Sequence, residues 1–237
     1  MSLLRRASVV VVCLTTIPLA GTDADEPSPA PTVAEIGLSL RCALGLDVQT
    51  CALLGLSAEQ YEAIITATNG YCETHRATIE PLIEAMTTAK KAVDRAYELC
   101  DEDIAVKEEA LITSIHALAQ SVSTCLSGVA TTIGAERTAK FARIASNRLL
   151  DPGVAMLELT PEQRTSLMAA QRERDRVLRH HQKRKDAGSI QGALAAYETA
   201  VESILSPSQR TERTQMRSAA AQRVTDILRT DANLPSE

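Results

Sequence analysis

Residues 57–99 read SAEQYEAIITATNGYCETHRATIEPLIEAMTTAKKAVDRAYEL, and within them Ile65, Cys72, Ile79, Met86 and Val93 recur every seven residues, with Leu82, Ala89 and Ala96 at the companion positions. Side chains three, four and seven apart share one face of an α-helix, so this stretch predicts a single long helix with one apolar seam. Cys100 continues the period. Pro81 lies inside the helix, where its ring removes a backbone donor and crowds the preceding turn, so a bend is expected there.

Working outward, the acidic turn Cys100-Asp101-Glu102-Asp103 offers an Asp to cap the next helix. A second seam then runs through Leu111, Ile115, Leu118, Val122, Cys125 and Val129. Two helices joined by so short a connection pack as antiparallel neighbours. After Asp151-Pro152-Gly153, a turn signal, the plan recurs in shorter form: a helix over 161–185, a turn at Asp186-Ala187-Gly188-Ser189, a helix over 190–204 and a last helix over 207–228. The expected fold class is all-α, with tandem antiparallel helical hairpins whose long helices are partly bent. The first, Cys-containing and acidic unit would span 36–147, a linker 148–156, and the second, shorter and basic unit 157–230.

Composition agrees. Of 237 residues 36 are Ala and only 2% are aromatic, too few bulky and aromatic side chains for a β-sandwich or barrel. Five aromatics and a net charge of -5 also exclude a nucleic-acid binder held by base stacking and phosphate contacts. The charge is unevenly divided: residues 22–125 carry -11 and residues 126–237 carry +4.

Residues 1–20, MSLLRRASVVVVCLTTIPLA, place Arg5 and Arg6 before an apolar run that ends at Pro18-Leu19-Ala20, which is the pattern of a cleaved secretory signal peptide. The run is short for a membrane span, and Val12 before Cys13 does not suit a lipoprotein signal. Residues 21–35, acidic and Pro-rich at 23–31, are expected to form a disordered linker. The localisation expected is periplasmic or otherwise exported, with no stable membrane insertion.

Export makes disulfides possible for the cysteines at 42, 51, 72, 100 and 125. If the hairpin turns near residue 100, Cys72 faces about residue 128, only about 4.5 Å along the axis from Cys125 at 1.5 Å per residue. A Cys72–Cys125 disulfide is therefore expected, with Cys42–Cys51 as a second. Cys100 would remain a free thiol near the hairpin tip, available for a homodimer bridge. The alternative is that the cysteines stay reduced and serve as small apolar residues on a seam.

Catalysis is not expected: the chain has no nucleophile motif, no Gly-rich phosphate loop and no HExxH. No cofactor is expected. The weak metal candidates are Cys72 with His75, three residues apart on one helix face, and His116. His180 and His181 are adjacent and point about 100° apart, so they cannot share an ion. The basic run Arg164, Arg172, Arg174, Arg176, Arg179, Lys183, Arg184 and Lys185 reads either as a solvated helix face or as a surface for the acidic first half, acidic or unfolded clients, or anionic lipid.

Three helix starts share one pattern: Leu56-Ser57-Ala58-Glu59-Gln60, Leu159-Thr160-Pro161-Glu162-Gln163 and Leu205-Ser206-Pro207-Ser208-Gln209. Ser57, Thr160 and Ser206 are N-caps, Gln60, Gln163 and Gln209 reach back in a capping box, and Pro161 and Pro207 suit the first helical position. Ile133-Gly134-Ala135-Glu136-Arg137, 77 residues after the first copy, is a degenerate fourth. The paired arrangement resembles the LTxxQ motif of the Spy/CpxP family of periplasmic stress proteins, and residues 71–93 resemble that family's long first helix. The resemblance covers residues 54–225 and implies two tandem units. It further implies a curved helical hairpin, often dimeric, that holds unfolded or aggregating envelope proteins without ATP; the metal-linked ZraP and CnrX sensors are relatives. Cysteines in the mature chain are a departure from the family pattern.

Overall fold

The computed structural model describes residues 30–99, 102–182 and 186–231, and these form helices with no strand among them. The leader expected at 1–20, most of the stretch at 21–35, Cys100 with its expected free thiol, Asp101, and the basic triplet Lys183, Arg184 and Lys185 lie outside the described residues.

Helix α1, Val33–Leu44, begins inside the stretch expected to be a disordered linker. Thr32 explains its start: Glu35 N donates to Thr32 Oγ1 at 3.3 Å while Thr32 N donates to Glu35 Oε2 at 2.7 Å, so two otherwise orphaned amides are satisfied. Gly45, at φ +72°, ends it, its N–H bonding Cys42 O while Leu46 N bonds Arg41 O. Asp47 then caps the short α2, Val48–Leu53, by accepting from Thr50 N at 3.0 Å.

Helix α3, Ala58–Leu99, has 42 residues and is about 63 Å long at 1.5 Å per residue. Its seam is buried at Ile65, Cys72, Ile79, Val93 and Ala96, as the sevenfold spacing predicts. The helical dihedrals break at His75 (φ -117°, ψ 23°), six residues ahead of Pro81. There the imidazole Nδ1–H donates to Tyr71 O at 3.1 Å, so a side chain serves the carbonyl that residue 75's amide would ordinarily bond. The return leg is α4, Ile104–Ser121, and α5, Ser123–Ile133, separated at Val122. Asp103 occupies the N-cap of α4 without making the side-chain cap bond. Gly134, at φ +86°, turns the chain into α6, Ala135–Ser146.

The second half follows: α7, Pro152–Ala155; α8, Pro161–Gln182; α9, Ala187–Ile204; and α10, Pro207–Asp231. Asp186 caps α9 by accepting from Ser189 N at 3.1 Å, so Ala187, Gly188 and Ser189, expected in the turn, lie in the first turn of the helix. No described helix is long and apolar enough to cross a membrane.

Packing joins the two expected units. Helix α3 packs against α1, α4, α5 and α8; α8 pairs with α9; and α10 returns to lie on α2 and α3. One apolar core runs from Ile36 to Ile227. The segment 148–156, expected to be a linker, carries the buried Leu150, Val154, Ala155 and Met156. Asp151-Pro152-Gly153 does turn the chain, but it does so by starting α7: Gly153 N donates to Asp151 Oδ1 at 2.9 Å, and Pro152 needs no donor at the first helical position. That single turn is buried against α2 and α10. Gln171 of α8 fixes the segment further, accepting from Asp151 N at 2.8 Å and donating to Leu149 O.

Candidate functional site

The three complete motif copies form reciprocal caps. Ser57 N donates to Gln60 Oε1 (3.1 Å) and Gln60 N to Ser57 Oγ (3.3 Å). Thr160 and Gln163 repeat this at 3.0 and 3.2 Å, and Ser206 and Gln209 at 2.8 and 3.3 Å. Leu56 and Leu205 are buried beneath the caps, Leu159 is half-buried, and Pro161 and Pro207 open α8 and α10. Hydrogen bonding to Ser57 holds the Glu59 carboxyl below its ordinary range; the amide of Glu162 itself and Thr160 do the same for Glu162.

Each Gln also reaches a second element. Gln163 Nε2 donates to Ile204 O at 3.0 Å, and Gln60 Nε2 donates to Thr132 O at 3.2 Å. Ile204 immediately precedes the motif at 205–209, and Thr132 immediately precedes the degenerate copy at 133–137. The two halves therefore use one geometry at the base of their hairpins. They differ in the second copy, where Gly134 stands at the N-cap without a side-chain cap bond. Gln163 meets Gln209, whereas Gln60 has no second Gln: Arg137 stands at that position and donates to Ile133 O at 3.4 Å.

Beside these caps lie two open clefts. One, of about 470 Å³, is bounded by Gly55, residues 56–60, Arg137, Arg223 and Asp226. The other, of about 380 Å³, lies among α6, residues 157–159 and Arg164. The first borders the motif copy at 56–60, and the second touches the copy at 159–163 through Leu159.

The acidic and basic halves are joined directly. Arg172 of α8 donates to Glu108 Oε2 from Nε at 2.9 Å and Nη2 at 2.5 Å, and Tyr97 OH donates to Glu108 Oε1 at 2.5 Å. Arg179 pairs with Asp94 at 3.0 Å. Arg176 pairs with Glu173, and Arg174 pairs with Asp175 while lying 4.4 Å over the Tyr197 ring. Arg172 and Arg179 of the basic run thus meet the acidic first half, one of the expected alternatives, while Arg174 and Arg176 pair within α8.

The cysteine expectations need correction. Cys42, Cys51, Cys72 and Cys125 are thiols, with no disulfide joining them. Cys42 is exposed on α1 while Cys51 is fully buried, so the expected Cys42–Cys51 bridge is not made. Cys72 and Cys125 do share the core: Cys125 lies one turn beyond Ser121, whose carbonyl accepts from Tyr71 OH at 3.1 Å. They are present as thiols rather than as the expected disulfide, packed as small apolar groups. Burial pushes the Cys72 thiol up to about 11, with the neighbouring Cys125 adding to the shift, and raises Cys125 and Cys51 as well.

The weak metal candidates are not brought together. Cys72 is buried, His75 is exposed and stacked on Tyr71 at 4.1 Å between centroids, and His116 is exposed. Among the described residues no three His, Cys, Asp or Glu side chains cluster as ligands. His180 and His181 meet edge to face at 5.0 Å, and His181 Nδ1 lies 3.2 Å from Asp186.

Comparison of the chain with protein-family models, with curated proteins and with solved structures finds no match to any of them.

Proposed function

We propose that the chain is an exported, non-catalytic protein that holds unfolded or aggregating envelope proteins without ATP, in the manner of the Spy/CpxP family. The observation that carries the proposal is the equivalence of the two hairpin bases: Gln60 on Thr132 O and Gln163 on Ile204 O, each acceptor standing just before the second motif copy of its half. A motif shared by chance would have no reason to make the same tertiary bond twice. The long hairpin of α3 with α4 and α5 supports the same reading, as does the leader-like sequence at 1–20.

The test is light scattering of an aggregating envelope protein titrated with the purified chain, with and without a chelator. Suppression at near-stoichiometric ratio, without nucleotide and unchanged by chelation, is expected. Absence of suppression in both conditions would remove the client-holding reading, and suppression lost on chelation would replace it with a metal-dependent one.

A further inference from the structure

The two legs of the first hairpin break at the same level. On α3 the helical dihedrals fail at His75 (φ -117°, ψ 23°), and on the return leg they fail at Val122 (φ -102°, ψ 21°), between α4 and α5. Tyr71 ties the two breaks together: its ring stacks on His75 at 4.1 Å, and its OH donates to Ser121 O at 3.1 Å. Just beyond, Pro81 has no amide to offer Ala77 O, so the α3 ladder is weakened a second time. A lone kink bends one helix; paired breaks at one level let the hairpin beyond them move as a unit.

That outer arm, residues 76–99 with 104–121, is fastened unequally along its length. Near the breaks Ile79 and Leu118 belong to the apolar core, and Leu82, Ile83 and Met86 pack against it. Farther out Val93, Ala96 and Tyr97 are buried but lie outside that core. There the arm meets α8 through charge: Arg172 with Glu108 and Arg179 with Asp94, the two arginines seven residues apart on one face of α8. Parting these pairs returns both partners to water, so the desolvation imposed on the buried Glu108 is recovered as the contact opens. At 1.5 Å per residue the arm reaches about 36 Å past His75, so a rotation of about 15° carries its tip about 9 Å, beyond the reach of either pair.

We infer that the outer arm of the first hairpin is a lever that opens off α8 about His75 and Val122, with Glu108–Arg172 and Asp94–Arg179 as its latch. Opening returns Glu108 and the two arginines to solvent while the core at the base stays packed. That the opened face serves clients rests on the function proposed above; the hinge does not.

The test is spin-label distance measurement on the whole purified chain, with Cys13, Cys42 and Cys100 replaced by Ser and labels at Val106→Cys on the arm and Gln191→Cys on α9, both exposed positions. Raising NaCl to about 1 M, which shortens the screening length to about 3 Å, should add a second, longer-distance population. Asp94→Lys sets a cation before Arg179 and beside Lys90, and should raise that population about three- to fivefold at low salt. Adding Arg179→Glu restores opposite charges and should lower it again, which a variant that merely loosened the fold would not do. Labels at Leu38→Cys and Gln191→Cys, both off the arm, should keep their distance throughout, with helicity unchanged. An arm distance that moves neither in high salt nor in Asp94→Lys would overturn the inference. So would a lengthening shared by the Leu38 pair, since the second half or the whole fold would then be what moves. Aggregation assays on the same samples separate the two ideas: an arm that opens while no client is protected leaves the hinge and removes client holding, and protection by an arm that never moves does the reverse.

Discussion

Gln163 and Gln209 clasp each other's side-chain amides: Gln163 Nε2 donates to Gln209 Oε1 at 2.9 Å and Gln209 Nε2 donates to Gln163 Oε1 at 3.1 Å. Each oxygen also accepts from a cap amide, and each nitrogen donates its second proton to a carbonyl, Ile204 O at 3.0 Å and Glu158 O at 2.5 Å. Both amides therefore use all their donors. Replacing either with Leu strands the other together with a cap N–H, at an expected cost of about 1–3 kcal/mol. The double replacement should cost less than the sum by about 0.5–1.5 kcal/mol, read from urea unfolding of the four proteins. Strictly additive costs would show that the two glutamines act separately. Gln60→Leu, which breaks no such clasp, should cost only about 1 kcal/mol.

Removing the cap hydroxyls tests a different bond. Thr160→Ala and Ser206→Ala each leave one helix-start amide without its acceptor and should cost about 1 kcal/mol. Client suppression by the folded variants should be unchanged, because these hydroxyls are spent on the caps. Lost suppression with an unmoved melting temperature would assign them to client contact instead.

Gly37 sets how closely α1 approaches α3. A Cβ there would lie 2.0 Å from Asn69 Oδ1, the same atom that accepts from Arg41 Nη1 at 3.0 Å. Gly37→Ala must therefore push the Asn69 side chain off the buried Arg41, which also donates to Thr68 Oγ1 at 2.9 Å. Thermal or urea denaturation should show a loss of about 1–3 kcal/mol despite the better helix propensity of Ala. Adding Asn69→Ala removes the clash but not the lost bond, so the double variant should be no less stable than Gly37→Ala alone. A stabilised Gly37→Ala would mean that the two helices part without cost.

The long helix was legible because its seam obeys one period over many turns, and so were the caps, whose bonds are local. What escaped has physical reasons. Residues 36–56 and 150–157 are apolar nearly all round, as Leu44, Leu46, Leu53, Leu54, Leu56 and Met156 show, so they carry no period from which to read α1, α2 or the buried α7. Asp151-Pro152-Gly153 breaks a helix and also starts one, and only packing decides which. The opposite charge of the two halves was plain, whereas the choice of Arg172 for Glu108 depends on tertiary register. The repeated Gln was the one available hint of the clasp, since a capping box alone leaves its amide nitrogen free.

Thiol titration yields a pH dependence of defined sign. Burial, with the Cys125 charge adding and Arg41 opposing, raises the Cys72 thiol from 9.0 to about 11. The folded state then holds that proton more tightly than the unfolded chain, so this contribution is fully present below about pH 9 and is lost as pH rises toward about 11. Cys51 and Cys125 are raised in the same direction. Urea midpoints should be flat near neutral pH and fall through this alkaline window, less steeply in Cys72→Ala. Identical slopes for the two proteins would show that Cys72 is not held protonated. Near neutral pH the exposed Cys42 should react with a disulfide reagent well before Cys51, Cys72 and Cys125, which wait on unfolding.

Glu108 is 3% exposed and is the point at which the first hairpin grips the second, through Arg172 on α8 and with Tyr97 OH on its other oxygen. The partners are unequal. The Arg172 side chain is 44% exposed and can turn to solvent when released, whereas Glu108, at 4% for its side chain, cannot. Arg172→Ala should therefore be the costlier single change, about 2–4 kcal/mol, and Glu108→Gln, which keeps the shape and an acceptor for Tyr97, about 1–2 kcal/mol. Replacing both with Leu removes the stranded charge and should return most of the loss, because apolar packing can stand in for a buried ion pair. Amide exchange should localise the effect, with α8 and α9 exchanging faster in Arg172→Ala while the α1–α3 contact keeps its protection. If the double Leu variant is as unstable as the two singles combined, the junction owes its strength to packing around the pair rather than to the pair itself.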